Sequence, residues 1–276
     1  MDLLQSLLYG LLSGVSEFMP ISSFGHQAML RRLFGASYWD PAMDLFVHMA
    51  LCLAALLVFR GNIDGYIREI GLRQHRSRKR RSFSDPKRTY EIRLLMTASI
   101  VMLGVLLFSA WARNLEAKPL FTCMFFIMNG VALFIPDYIR QTNKDARMLS
   151  GFDGMLIGLV SGLRIFPGLS GVGMGLSVAL LRGAEKKQAL NWSLMLCIPA
   201  LLMLCFFDLI GIFTVAGFSV SFIGFLGYLL AAIGAAVSGY AILIFARFLI
   251  AHTGLGGYAC YCWGMAIMTF ILYLIS

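Results

Sequence analysis

A carboxylate, two hydroxyls and an imidazole fall within ten residues of one another: Glu17, Ser22, Ser23 and His26, in the run Ser13–His26 (SGVSEFMPISSFGH). A serine can attack an electrophile or orient a water. An imidazole three residues on can take the proton and later return it. The carboxylate can orient the imidazole or help hold a divalent metal. Each residue alone has a plainer reading: serines cap backbone in broken helices, and a lone histidine is usually a satisfied buried one. Together, in one segment, they favour a functional site. Apolar sequence flanks the run on both sides. Ionisable groups at membrane depth are costly, and broken backbone there is tolerated only around a cavity. The run is therefore expected to be a broken, re-entrant segment at a polar site.

The pattern returns 148 positions later. Gly10, Leu11, Ser13, Gly14, Phe18, Ser22, Gly25, Leu33 and Gly35 meet Gly158, Leu159, Ser161, Gly162, Phe166, Ser170, Gly173, Leu181 and Gly183. The second copy, Ser161–Gly173, reads SGLRIFPGLSGVG. Paired interrupted segments in the two halves of a membrane protein point to its binding site. Two unrelated glycine-rich helix interfaces are the alternative. Backbone N–H groups near Gly25 and Gly173, at the starts of two half-helices, are expected to cradle an anion.

The elements that position these residues follow from composition. Apolar residues make up 59% of the 276 and charged ones 13%, with mean hydropathy +0.79. That excludes an ordinary soluble domain and predicts one all-α, polytopic membrane domain over 1–276. No basic region precedes the first apolar run, so a cleavable signal is not expected. The net charge of +9 is concentrated in a basic loop at about 73–91. Beside membrane spans such a loop reads as cytoplasmic, with anionic-lipid contact secondary; no nucleic-acid partner is expected. The six cysteines include no CxxC pair, so neither a disulfide framework nor structural zinc is expected. Cys260–Tyr261–Cys262 lacks ordinary zinc spacing.

Full crossings need about 20 apolar residues. They are expected at Met43–Phe59, Ile92–Ala112, Pro119–Tyr138, Leu190–Phe213 with a kink at Pro199, within Phe218–Ile250, and at Gly257–Ile275. The re-entrant units are Met1–Phe34 and about Phe152–Leu181. Three crossings separate them, so the second enters from the opposite face. That is an inverted repeat, with halves at about 1–138 and 151–276, whose two re-entrant helix hairpins meet at a central site. Arg31 and Arg32 would then lie outside, against the charge rule. Asp44 and His48, four apart, share a helical face and are expected at a cavity; Asp44 also suits a helix start.

The stretch GVSEFMPISSFGH resembles the first signature of the bacterial undecaprenyl-diphosphate phosphatase family, of the bacitracin-resistance type. FPGLSGVG resembles a degenerate copy of its second signature, Pro-Gly-x-Ser-Arg-Ser-Gly. MDLFVHMA resembles the family's acidic residue followed four later by His or Gln. The resemblance covers nearly the whole chain. It implies hydrolysis of a polyprenyl diphosphate to the monophosphate, recycling the carrier lipid for cell-envelope synthesis. It also implies a divalent cation (Mg or Ca), a multi-pass location in the bacterial cytoplasmic membrane, and a site on the outer side. A homodimer is one expectation for the assembly. On this basis Glu17, Ser22, Ser23 and His26 are expected to be catalytic, with Glu17 also a metal ligand. Gly25, Asp44, His48, Arg164, Ser170 and Gly173 are expected to bind substrate.

The departures are specific. Ser13 stands where an acid or amide is expected, Gly171 where the phosphate-binding arginine is expected, and Val172 and Gly175 replace two hydroxyl residues. Arg164, seven positions before Gly171, is a candidate to supply the lost charge; the alternative is that it snorkels to the interface. A non-hydrolytic polyprenyl-phosphate binder or translocase on the same scaffold is the rival function, and a small-solute transporter a third.

Overall fold

The computed structural model describes residues 1–36, 39–74, 85–116, 118–139, 142–214 and 221–275. Their regular structure is helical, with one isolated bridge between Lys144 and Ala184. Two short hairpins organise the chain. The first is α1 (Leu3–Phe18) followed by α2 (Ser23–Leu33). Then come α3 (Pro41–Gln74), α4 (Pro86–Leu106), the single turn α5 (Ser109–Ala112) and α6 (Pro119–Phe134). The second hairpin is α7 (Gly151–Gly162) and α8 (Gly171–Leu181). After it run α9 (Lys186–Met195), α10 (Cys197–Thr214), α11 (Phe222–His252) and α12 (Gly256–Ile275). Among the described residues six stretches are long and apolar enough to cross a membrane, three of them between the hairpins.

Local signals start and stop each hairpin at the same relative places. Asp2 caps α1 in a box with Gln5; Ser150, 148 positions later, caps α7 in a box with Asp153. Each box satisfies two orphan N–H groups. Ser22 caps α2 and Ser170 caps α8. Gly35 (φ 66°) and Gly183 (φ 87°) follow the second helices, in the left-handed conformation that ends helices and that glycine adopts freely.

Packing repeats in the same register. A Cβ on Gly10 would strike the Ala231 carbonyl of α11, and one on Gly158 would strike the Ala98 carbonyl of α4. A Cβ on Gly14 would meet Ser238, and one on Gly162 would come within 2.6 Å of Val105. Ala231 and Ser238 each lie 133 positions after Ala98 and Val105. Small residues here let backbones touch, which drives helix association where water does not. The partner helix is thus borrowed crosswise: α1 lies on α11 and α7 on α4.

Each hairpin begins and ends at one end of the bundle. Ser6 of α1 meets Gly227 near the start of α11. At that same end Arg31 of α2, Trp39, Arg113 and Gly211 line one cavity. At the other end Asp153 of α7 pairs with Arg182 after α8, Lys144 bonds Gly183, and Lys186 reaches the Thr253 carbonyl.

The crossing expected at Ile92–Ala112 is α4 from Pro86 to Leu106, with the separate turn α5 after it, and the elements differ from expectation in three further places. The first hairpin is broken only over 19–22, because Ser13, Gly14 and Glu17 all fit the helix of α1. The span expected to end at Phe59 continues as α3 to Gln74. The kink around Pro199 falls at Leu196, between α9 and α10, since proline removes an N–H and crowds the preceding turn. Residues 75–84 of the basic loop, and Arg140 in the later loop, lie outside the described residues. The bundle's outer surface is apolar, as lipid demands: Phe213, Phe222 and Leu274 are all well exposed.

Candidate active site

The two links between hairpin arms touch. Ser22 Oγ accepts N–H bonds from Gly25 of its own helix (3.2 Å) and from Gly168 of the other link (3.0 Å). Ser170 Oγ accepts from Gly173 (3.1 Å) and donates to the Met19 carbonyl (3.2 Å). Asn129 of α6 spans both: Nδ2 donates to the Pro20 carbonyl (3.0 Å) and Oδ1 accepts the Ser170 N–H (2.9 Å). These bonds hold Ser22 at φ 70°, a conformation that costs a non-glycine residue about 1–3 kcal/mol and clusters at functional sites. The N–H groups of Gly25 and Gly173 are therefore engaged in caps.

Directly beside the crossing lies a buried ion pair. Glu17, in the last turn of α1, receives a hydrogen bond from the Arg164 guanidinium of the 3₁₀ turn Leu163–Ile165. Both are almost wholly buried, and the Cys197 thiol adjoins the guanidinium. Arg164 does not snorkel. Its stem runs over Gly171: a Cβ there would sit 3.2 Å from Arg164 Cβ and 3.3 Å from Cδ. The side chain fills the space that a residue larger than glycine would need.

The remaining candidates sort into separate groups. Ser23 is buried and its Oγ has no partner among the described residues. His26 is not bonded to it. Its Nδ1 lies 2.6 Å from the Ser22 carbonyl and its Nε2 lies 2.8 Å from the Tyr261 hydroxyl, and the Tyr261 ring stacks on it with an 8° tilt. A carbonyl only accepts, so in the neutral imidazole Nδ1 carries the proton and Nε2 faces the phenol. Asp44 and His48, expected together, have different partners. Asp44 accepts from Tyr9 (2.6 Å) and Arg31 (2.6 Å), and Arg31 also holds Glu116 (3.0 Å). His48 Nδ1 lies 2.6 Å from Asp208 Oδ2, while Arg113 holds the other oxygen (3.1 Å). Glu116 lies outside the spanning helices. Burial raises its carboxyl pKa, against the pull of Arg31.

Tyr9, Asn129 and Asp208 are not singled out by the sequence, which marks Arg31 only as an exception to the charge rule and Tyr261 only as the residue between two cysteines. Asp208 and Asn129 carried a readable signal, a polar side chain inside an apolar span. Tyr261 carried none. As a metal centre the arrangement is poor: Glu17 is held by Arg164, and among the described residues no three His, Cys, Asp or Glu side chains gather. Among the described residues no ready-made cation site is formed.

A helical protein with six apolar spans and two short hairpins, crossed over a buried Glu–Arg pair, is a multi-pass membrane protein built around an occluded polar centre. The chain belongs to the bacitracin resistance protein BacA family, whose model matches residues 6–268. Among similar proteins, one named undecaprenyl-diphosphatase from Methanobrevibacter smithii is 30% identical over 278 residues, spanning 98% of each chain. One named undecaprenyl-diphosphatase 1 from Shouchella clausii is 28% identical over 285 residues, spanning 98% of this chain and 96% of its own.

Proposed function

We propose that the protein hydrolyses undecaprenyl diphosphate to the monophosphate and phosphate, recycling the carrier lipid. Family membership and the relatives' names support hydrolysis over a non-hydrolytic binder or translocase. The observation that carries the site assignment is the Glu17–Arg164 pair, made across the two hairpins beside Ser22 and Ser23. Arg164 takes the place of the arginine absent at Gly171. An incoming phosphate competes with Glu17 for the guanidinium fork, which suits phosphate as well as carboxylate. Once displaced, Glu17 is a free carboxylate next to the reacting group.

Ser23 supplies the attacking or water-orienting hydroxyl, because Ser22 Oγ already accepts two N–H bonds. His26 takes the nucleophile's proton and returns it to the leaving oxygen, after Tyr261 yields Nε2. Gly25, Ser170 and Gly173 fix the crossing of the links, and Asp44 and His48 hold the wall beside it. A divalent cation, Mg or Ca, enters this reading only as a counter-ion of the diphosphate, and no step is routed through it. Activity that survives exhaustive chelation would remove it.

The hairpins are read as re-entrant from opposite faces of the bacterial cytoplasmic membrane, in an inverted repeat of residues 1–138 and 151–276. The crosswise glycine contacts and the paired hairpin ends support this. The basic loop at 73–91 lies in the cytoplasm and the first hairpin opens outward. A homodimer is tested by the mass of the protein in detergent. The functional test is phosphate release from undecaprenyl diphosphate by purified protein, with Glu17→Gln and His26→Ala for comparison. Release by the parent and not by the variants is expected. Intact lipid binding with no release under any added metal would favour the binder.

A further inference from the structure

A second polar feature lies away from the crossing. A cavity of about 630 Å³ opens at the bundle end where α2 finishes, lined among others by Arg31, Arg32, Trp39, Ser109, Arg113 and Glu116. That volume is in the range of small-ligand sites. Arg31 is eight residues along α2 from Ser23, or about 12 Å of helix rise. None of Glu17, Ser23, His26 and Arg164 lines the cavity, and Ala28, two residues past His26, is its nearest approach along α2.

Its wall is rich in donors. The Arg113 guanidinium lies with its carbon over the Trp39 ring, 3.6 Å from the centroid. It spends one N–H on Asp208, and a guanidinium has five. Two further donors have no partner among the described residues: Trp39 Nε1–H and Ser109 Oγ–H, both buried. Buried donors are normally satisfied, and an unmatched one costs about 1–3 kcal/mol. Trp39 Nε1 and the guanidinium can only donate. A ligand meeting this wall must be rich in acceptors. Arg31, Arg32 and Arg113 line the cavity with Glu116, and because Asp44 and Asp208 offset Arg31 and Arg113 the wall offers donors more than net charge. Asp44 and Asp208 stand behind Arg31 and Arg113 and fix their orientation.

We infer that this cavity is a binding site for a phosphate group, distinct from the hydrolytic centre, with Arg113, Trp39 and Ser109 as donors and Glu116 as the internal competitor. The same chemistry serves inorganic phosphate and the phosphate headgroup of a lipid. The inference takes only its sources of phosphate from the proposed hydrolysis; the wall itself is independent of that reading.

The test is calorimetric titration of full-length protein in detergent with inorganic phosphate, and separately with nanodiscs carrying a phosphatidic acid lipid. Arg113→Gln is expected to weaken phosphate binding about tenfold, the usual size of a lost charge-assisted bond. Ser109→Ala, which disturbs no existing hydrogen bond, is expected to weaken it about threefold. Glu116→Gln is expected to strengthen it. Among responses that Arg113→Gln and Ser109→Ala weaken, one to inorganic phosphate assigns the free ion and one to the lipid alone assigns the headgroup; either supports the site. Affinity for both probes unchanged in Arg113→Gln and in Ser109→Ala overturns it, as does binding lost in Arg164→Leu alone. Phosphate release is assayed on the same samples. A protein that binds as described but never hydrolyses keeps the inference and loses the proposed function.

Discussion

Glu17 and Arg164 carry the strongest claim at the level of single residues. Breaking a buried pair leaves one charge uncompensated, at a cost of about 3–5 kcal/mol. Arg164→Leu is therefore expected to lower the melting temperature as well as activity, and Glu17→Gln to do the same more mildly. The double variant is expected to be more stable than the sum of the singles, because it leaves neither charge alone. A thermal-shift double-mutant cycle with zero coupling would contradict the contact. A complementary test exploits the shared space at Gly171. Gly171→Arg alone is expected to inactivate, since Arg164 already fills that volume. Gly171→Arg combined with Arg164→Gly is expected to recover phosphate release. Glu17 and the serines were legible because polar residues in an apolar run stand out. The partner of Glu17 was legible only as a candidate: spacing says that Arg164 is near, not that it lies across the other hairpin. Tyr261 was not legible at all, for nothing local marks which of ten tyrosines will cover an imidazole 235 positions away.

Helices and their contacts make the duplication testable. Gly10 and Gly158 each put a helix backbone against a carbonyl, so a methyl at either has nowhere to go. Gly10→Ala and Gly158→Ala are each expected to destabilise by about 1–3 kcal/mol, the usual range for overpacking. Gly104 on α4 has open space around it, and Gly104→Ala is expected to be neutral or to stabilise by up to about 1 kcal/mol through helix propensity. Melting temperatures of the three variants give the comparison. Equal tolerance at all three would mean that the matched registers are incidental. The repeat itself was readable as a 148-residue offset in the sequence. The second offset, 133, was not readable, because α4 and α11 share no motif; only their contacts with the hairpins align them. Asp2 and Gly183 mark helix ends with local signals, a cap and a left-handed glycine, that were not read as such from the sequence. Helix ends were misplaced where a stretch with polar residues, such as Ser13–Phe18, remained good helix.

The architecture proposed for the entire chain rests on each hairpin turning back before it crosses. Its charge asymmetry agrees: Lys144, Arg147, Arg182 and Lys186 gather with the end that continues into the basic loop, while the opposite end carries the arginines of the donor-lined cavity. Arg31 and Arg32 looked like an exception to the charge rule in sequence. In the structure Arg31 and Arg113 are tied to Asp44, Glu116 and Asp208, so they add little free positive charge to that side. The prediction at this scale concerns sidedness. In a cysteine-free background, Asp2→Cys and Ala36→Cys flank the first hairpin, and Lys144→Cys marks the other end. A membrane-impermeant maleimide added to intact spheroplasts is expected to label the first two and spare the third, which reacts only after lysis. Labelling of Asp2→Cys and Ala36→Cys from opposite sides would make α1 and α2 together a crossing. That would set both hairpins to the same orientation, and the pseudo-symmetric meeting of Glu17 with Arg164 would need another cause.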